Sequence, residues 1–139
     1  MDRERASRLR TLAERYTAAW CSRDAARVAT FFSATGSLTI NGGTPAVGRS
    51  AITQTAQSFM TAFPDLEVRM DELVDQGETV LLGWTLLGTN TGPDGTVHRV
   101  RISGFETWRI GGNGLVAESL GTFDSADYRR QLEHGVDRK

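Results

Sequence analysis

Residues 3–21 carry Leu9, Leu12, Ala13, Tyr16, Ala19 and Trp20 at three- and four-residue intervals, with Arg8, Arg10, Glu14 and Arg15 on the other face. That spacing predicts an amphipathic helix with one apolar stripe. Ser22-Arg23-Asp24 breaks the pattern and offers an N-cap to a short second helix, with Val28, Phe31 and Phe32 facing inward. Ser37–Asn41 then reads as a short strand leading into a Gly42-Gly43 turn. After Gly48, helical spacing returns at Ile52, Ala56, Phe59 and Phe63, and Pro64 stops it.

From there the period changes to two. Leu66, Val68 and Met70 alternate with charged residues, a half-buried strand ending near Asp75-Gln76-Gly77. Two longer strands, at about 78–90 and 96–110, flank the hairpin sequence Thr91-Gly92-Pro93-Asp94-Gly95. Gly111-Gly112-Asn113-Gly114 turns the chain into a strand at about 115–123, and Asp124-Ser125-Ala126-Asp127 caps a last short helix through His134. Helices first and an antiparallel meander afterwards make an α+β domain with its helices on one face of the sheet. Val80, Leu82, Trp84 and Leu86 point one way and Leu81 and Leu87 the other, so both faces ask for cover. Helices supply one cover, and a second copy on the outer face, a homodimer, is expected to supply the other.

Composition narrows the function classes. A chain of 139 residues fits one domain, taken as 1–139 with a core of about 8–134. A net charge of −1 argues against a nucleic-acid partner. No apolar run approaches the roughly 18 residues of a membrane span, and the charged first fifteen residues hold no secretory apolar region. With one cysteine, Cys21, there is no internal disulfide, and the expected location is the cytoplasm. Cys21 reads as a half-buried helical thiol. His98, His134 and Cys21 lack ligand spacing, so no metal is expected. Neither glycine run has the strand-turn-helix context or the lysine of a phosphate loop, and both read as turns.

Several segments together resemble a known family. They are Tyr16-x-x-x-Trp20, Gly48-Arg49-x-Ala51-Ile52, Ala62-Phe63-Pro64-Asp65-Leu66, Trp84-Thr85 with Gly88-Thr89-Asn90-Thr91-Gly92, Phe105-x-x-Trp108-Arg109-Ile110, and Phe123-Asp124 with Arg130-Gln131-Leu132. In this order they resemble the SnoaL-like polyketide cyclases of the NTF2-like superfamily, over about residues 8–134. The resemblance implies a cone, with a bent antiparallel sheet wrapped against helices around a mostly apolar pocket. The fold hosts cyclases, isomerases, epoxide hydrolases, dehydratases and plain binding domains, so the pocket residues must decide the chemistry.

Strand parity places His98, Val100, Ile102, Gly104, Glu106 and Trp108 on the inner face, and Thr85, Arg101 and Arg109 on the outer one. His98, close to a hairpin end, is expected to be solvated. By comparison with the family pattern, Ala117, Ser119, Gly121 and Phe123 face inward as well. Glu106 is the leading catalytic candidate, because a carboxylate in an apolar wall has a raised pKa suited to proton transfer near neutral pH. It also aligns with a pocket histidine of the cyclases. The structural alternative is a buried glutamate held by a tyrosine or arginine from a helix. Asn41 matches a pocket asparagine and would orient a substrate carbonyl, or it is simply good turn chemistry before Gly-Gly. An amide cannot take the proton that the ketosteroid isomerases give to an aspartate in this region.

The acid-base aspartate of the cyclases and of the limonene-type epoxide hydrolases aligns with Gly121, which has no side chain to move a proton. Asp124 is the nearest substitute, although its parity is wrong for the pocket and a helix cap accounts for it. Tyr16, Trp20, Phe59, Trp84 and Trp108 are expected as the apolar wall around a hydrophobic small molecule. The leading expectation is a cofactor-free cyclase or isomerase working by proton transfer on a polyketide-like carbonyl compound. The alternative is a non-catalytic ligand-binding or dimerisation domain, and a hydrolytic variant stands third for want of the aspartate.

Overall fold

The computed structural model describes residues 3–92 and 95–136. The elements run α1 (Arg3–Cys21), α2 (Ala25–Ala29), β1 (Phe32–Ile40), β2 (Ala46–Val47), α3 (Arg49–Ala62), β3 (Glu67–Asp75), β4 (Val80–Thr91), β5 (Val97–Ile110), β6 (Val116–Phe123) and α4 (Ser125–His134). One unclosed sheet has the order β2-β1-β6-β5-β4-β3.

The long helices form where the periodicity demands. α1 buries Leu9, Ala13, Tyr16, Thr17, Ala19 and Trp20, and α3 buries Ile52, Ala56 and Met60. Asp24 caps α2 by accepting the Arg27 N–H, and Asp124 caps α4 by accepting the Asp127 N–H. Gly48 opens α3 at φ 89°, a left-handed conformation that favours glycine. Ahead of Pro64, Phe63 turns extended and ends α3.

On β5 the expected alternation holds: Val100, Ile102, Glu106 and Trp108 are buried, while Arg99, Arg101, Ser103, Phe105 and Arg109 are exposed. β4 pairs with β5 from Val80↔Trp108 to Thr91↔Val97 without a slip, the longest ladder of the sheet. Pro93 and Asp94, at the tip expected between these strands, lie outside the described residues.

Four local expectations need correction. Phe32 is not helical; α2 ends at Ala29 and β1 begins at Phe32, five residues earlier than expected. β1 also pairs in parallel with β6, so the sheet is mixed rather than wholly antiparallel. A bulge between Arg109 and Ile110 shifts the β5–β6 register, so Val116 is fully buried and Ala117 only half-buried. His98 is half-buried rather than solvated, its ring lying against Gly135 beyond the end of α4.

Candidate functional site

The concave face of the sheet, α1, α3 and α4 enclose a cavity of about 60 Å³. Aromatic rings dominate its wall: Tyr16 and Trp20 from α1, Phe59 from α3, Trp84 from β4, Phe123 from β6 and Tyr128 from α4. Leucine, isoleucine and valine side chains fill the intervals, and Gly121 leaves room beside the one carboxylate, Glu106. An apolar chamber with few convergent polar groups is the usual form of a small-molecule site. The volume is well below the roughly 150 Å³ of a cavity that binds benzene, so it suits a molecule smaller than benzene, and a fused polycycle would have to displace the rings.

Glu106 lies on the inner face of β5, opposite Leu82 on β4 and Gly121 on β6. Its Oε1 accepts three hydrogen bonds, from Ser119 Oγ at 2.7 Å, Tyr16 OH at 2.9 Å and Trp108 Nε1 at 3.0 Å. Its Oε2 has only a share of the same phenol hydrogen, at 3.1 Å. Burial pushes the Glu106 carboxyl above its ordinary range, with the bonds from Ser119, Trp108 and Tyr16 pulling the other way. Tyr16 is pushed well above the usual phenol value by burial first and then by the adjacent Glu106 charge. It therefore stays protonated and serves as a donor. The ring is held edge-on by Trp20, Phe31, Phe32 and Trp108, with centroids 5.2–6.4 Å away.

The structure thus brings Glu106, Tyr16, Trp20, Phe59 and Trp84 together around one space. Three other expected site residues lie elsewhere. Trp108 is fully buried one layer behind the wall, because its N–H turns to Glu106 and Tyr16 covers its ring. Asn41 is exposed in a left-handed turn at φ 52°, and its Oδ1 accepts the Phe123 N–H at 2.9 Å. That bond ties the end of β1 to β6 and keeps the amide out of the chamber. Asp124, also exposed, is occupied with capping α4.

Sequence reasoning passed over Ser119 and Tyr128 as site residues. Ser119 was legible from parity, two positions before Gly121. Tyr128 was not, because α4 is too short and polar to show which face it turns inward.

A sequence model of the SnoaL-like polyketide cyclase family matches residues 10–132. Among curated protein sequences none matches. A protein of ketosteroid isomerase-like fold from Catenulispora acidiphila, solved with trimethylamine, superposes with a TM-score of 0.78 at 16% identity, covering 92% of this chain and 96% of that one. The phenazine biosynthesis-related protein PhzB2 of Pseudomonas aeruginosa gives 0.73 at 14% identity, covering 98% and 94%. SalBIII, an epoxide hydrolase/cyclase-like enzyme of pyran ring formation in the polyether salinomycin, gives 0.74 at 18% identity, covering 88% and 95%. At such identities the likenesses establish the ketosteroid isomerase-like fold and leave the chemistry to the residues. With the family pattern spanning all but the two ends, the chain belongs to the SnoaL-like polyketide cyclase family.

Proposed function

We propose that the protein is a cofactor-free cyclase or isomerase that moves a proton on a compact hydrophobic carbonyl compound, with Glu106 as the base. The observation that carries this reading is the asymmetry of the carboxylate. Three donors fix Oε1, while Oε2 keeps lone-pair capacity in a residue that lines the chamber. An acid pushed upward by burial holds both protonation states closer to neutral pH, as proton transfer needs. Glu106 takes a proton from the carbon beside the carbonyl, and the C–H electron pair moves in to form the enolate. In a β,γ-unsaturated ketone the neutral acid then returns the proton at the γ-carbon, which is isomerisation; alternatively the enolate carbon attacks a second carbonyl, whose oxygen takes the proton back from the acid, which is an aldol-type cyclisation.

Exchange of α-hydrogens of a small ketone for deuterium, followed by NMR in D₂O, tests this. The wild type should catalyse exchange and Glu106→Gln should lose at least a hundredfold of it, in line with general-base contributions of about 10²–10⁴. Equal exchange by both proteins overturns the assignment.

The second reading is a non-catalytic binding or dimerisation domain, favoured by Gly121 in place of the family's aspartate. Saturable ligand binding with no exchange would support it. A homodimer formed through the outer sheet face, where Phe105 and Leu120 are 43% and 45% exposed, fits either reading. Sedimentation of the wild type beside Phe105→Glu tests it, and a monomeric wild type refutes it. No described helix is long and apolar enough to cross a membrane, and we place the protein in the cytoplasm on the composition of its sequence.

A further inference from the structure

We propose that the indole N–H of Trp84 receives the carbonyl oxygen of the substrate, which makes Trp84 the polar anchor of the chamber. The inference rests on the reading of Glu106 as the base. Trp84 lines the cavity, and its Nε1 is buried with no acceptor among the described residues. A buried donor left unpaired is costly, and native proteins retain few of them. An orphaned donor in the wall of an apolar chamber is explained by a ligand that brings the acceptor.

Of the other hydroxyls in the wall, two are already committed, and that of Tyr128 is the rival donor that the test below separates. Tyr16 OH gives its hydrogen to Glu106, and Thr17 Oγ1 gives its own to the Ala13 carbonyl at 2.7 Å. The amide expected to orient a carbonyl, that of Asn41, lies in an exposed turn outside the chamber, with its Oδ1 accepting the Phe123 N–H.

Trp84 is also held in place. Its Cζ2 lies 2.7 Å from where a Cβ on Gly104 would stand, so the indole edge that carries Nε1 lies where only glycine leaves space. Phe123 meets the ring edge-on at a centroid distance of 5.9 Å. Trp84 pairs with Gly104 across β4–β5, two residues from Glu106 on the same face. Such diagonal neighbours stand roughly 7–8 Å apart at the backbone, a span that one compact ketone can bridge with its oxygen on Trp84 and its α-carbon at Glu106.

Indole N–H donates and cannot accept, so the anchor selects a carbonyl over a hydrocarbon of the same shape. As the α-proton leaves, negative charge gathers on that oxygen and the hydrogen bond strengthens where it lowers the barrier.

The test uses acetone and its isostere isobutene, both small enough for the cavity, as probes of the full-length protein, with binding followed by NMR. The wild type should bind the ketone about tenfold more tightly than the alkene, and the Trp84 Nε1–H resonance should move downfield with the ketone alone. Trp84→Phe should abolish the preference, bringing the ratio of ketone to alkene affinity from about ten to about one. Should that variant not fold, the wild-type resonance still decides. An unmoved Trp84 resonance, or a ketone preference that survives Trp84→Phe or is removed by Tyr128→Phe, overturns the proposal. Deuterium exchange in the same samples separates the two readings. Exchange that depends on Glu106 but not on Trp84 sinks the anchor alone, and a ketone preference set by Trp84 without exchange sinks the base.

Discussion

Glu106 faces Gly121 directly across the β5–β6 ladder, the one cavity-lining carboxylate set against a residue with no side chain. A Cβ built on Gly121 would meet nothing closer than 3.7 Å, its nearest neighbours being Glu106 Cγ and the Thr39 carbonyl. Sterics therefore do not require glycine there, and its effect is to keep open the space beside the carboxylate. Gly104, two ladder positions away, is the opposite case, because a Cβ would stand 2.3 Å from the Thr122 carbonyl and 2.7 Å from Trp84.

These two glycines predict contrasting variants. Gly121→Ala should fold with a melting temperature within a few degrees of the wild type and bind chamber ligands more weakly. Gly104→Ala should lose about 1–3 kcal/mol, the usual cost of overpacking, as read by urea denaturation. Gly121→Asp would set a second carboxylate beside Glu106 and should raise the Glu106 pKa further, since like charges disfavour joint ionisation. A pH profile of deuterium exchange shifted upward in that variant checks this.

Stability should depend on pH through Glu106. Its folded pKa is raised above the unfolded value of about 4.3. Between those two values the folded state holds the proton more tightly than the unfolded chain does, so stability falls as pH rises through that window. Glu106→Gln cannot titrate, so the wild type should lose stability relative to this variant on going from pH 4 upward, and the difference should level off above the folded pKa. Chemical denaturation of both proteins at a series of pH values measures it; a gap that widens in the opposite direction contradicts the shift.

Tyr16→Phe removes the phenol that bonds both carboxylate oxygens and leaves Ser119 and Trp108 in place. With a stabilising donor lost, the Glu106 pKa should climb further, and the acid limb of the exchange profile should move to higher pH with it. The fold should weaken by about 1.5–3 kcal/mol, the range for a hydrogen bond to a charged group. NMR titration of the Glu106 carboxyl carbon reads the shift directly.

Asp124 separates capping from chemistry. Asp124→Ala should lose about 1 kcal/mol of stability as the α4 cap disappears, with exchange per folded molecule unchanged. Asp124→Asn, which can still cap, should resemble the wild type in both respects. A large loss of exchange in the folded Asn variant would return Asp124 to the catalytic machinery.

Much of this architecture was legible in the sequence because two periods carry it. The stripe through Tyr16 and Trp20 put both rings against the sheet, and alternation along β5 put Glu106 inside before any coordinates were needed. What escaped was decided by contacts that periodicity does not encode. Phe32 lies three to four residues from Ala29 and Val28 and fits a helix by spacing, yet it enters a strand because β6 offers a parallel partner at Val116. Trp108 has the parity of a wall residue, but an indole N–H satisfied by Glu106 draws it behind the wall. The direction of a carboxylate's free oxygen is likewise a matter of which donors converge from α1 and β6, elements far apart in the chain.

Cys21 holds Val68 at both backbone groups, its Sγ lying 3.3 Å from the carbonyl oxygen and 3.3 Å from the nitrogen. β3 is the outermost strand on that side of the sheet, and Val68 belongs to its margin as well as to the cavity wall. Bare margins invite further strands from other chains; here the thiol at the end of α1 occupies the bonding groups such a strand would need. The helix therefore works as a stopper against ribbon-like growth, and a seventh strand could join at this point only by first prising Cys21 away from Val68.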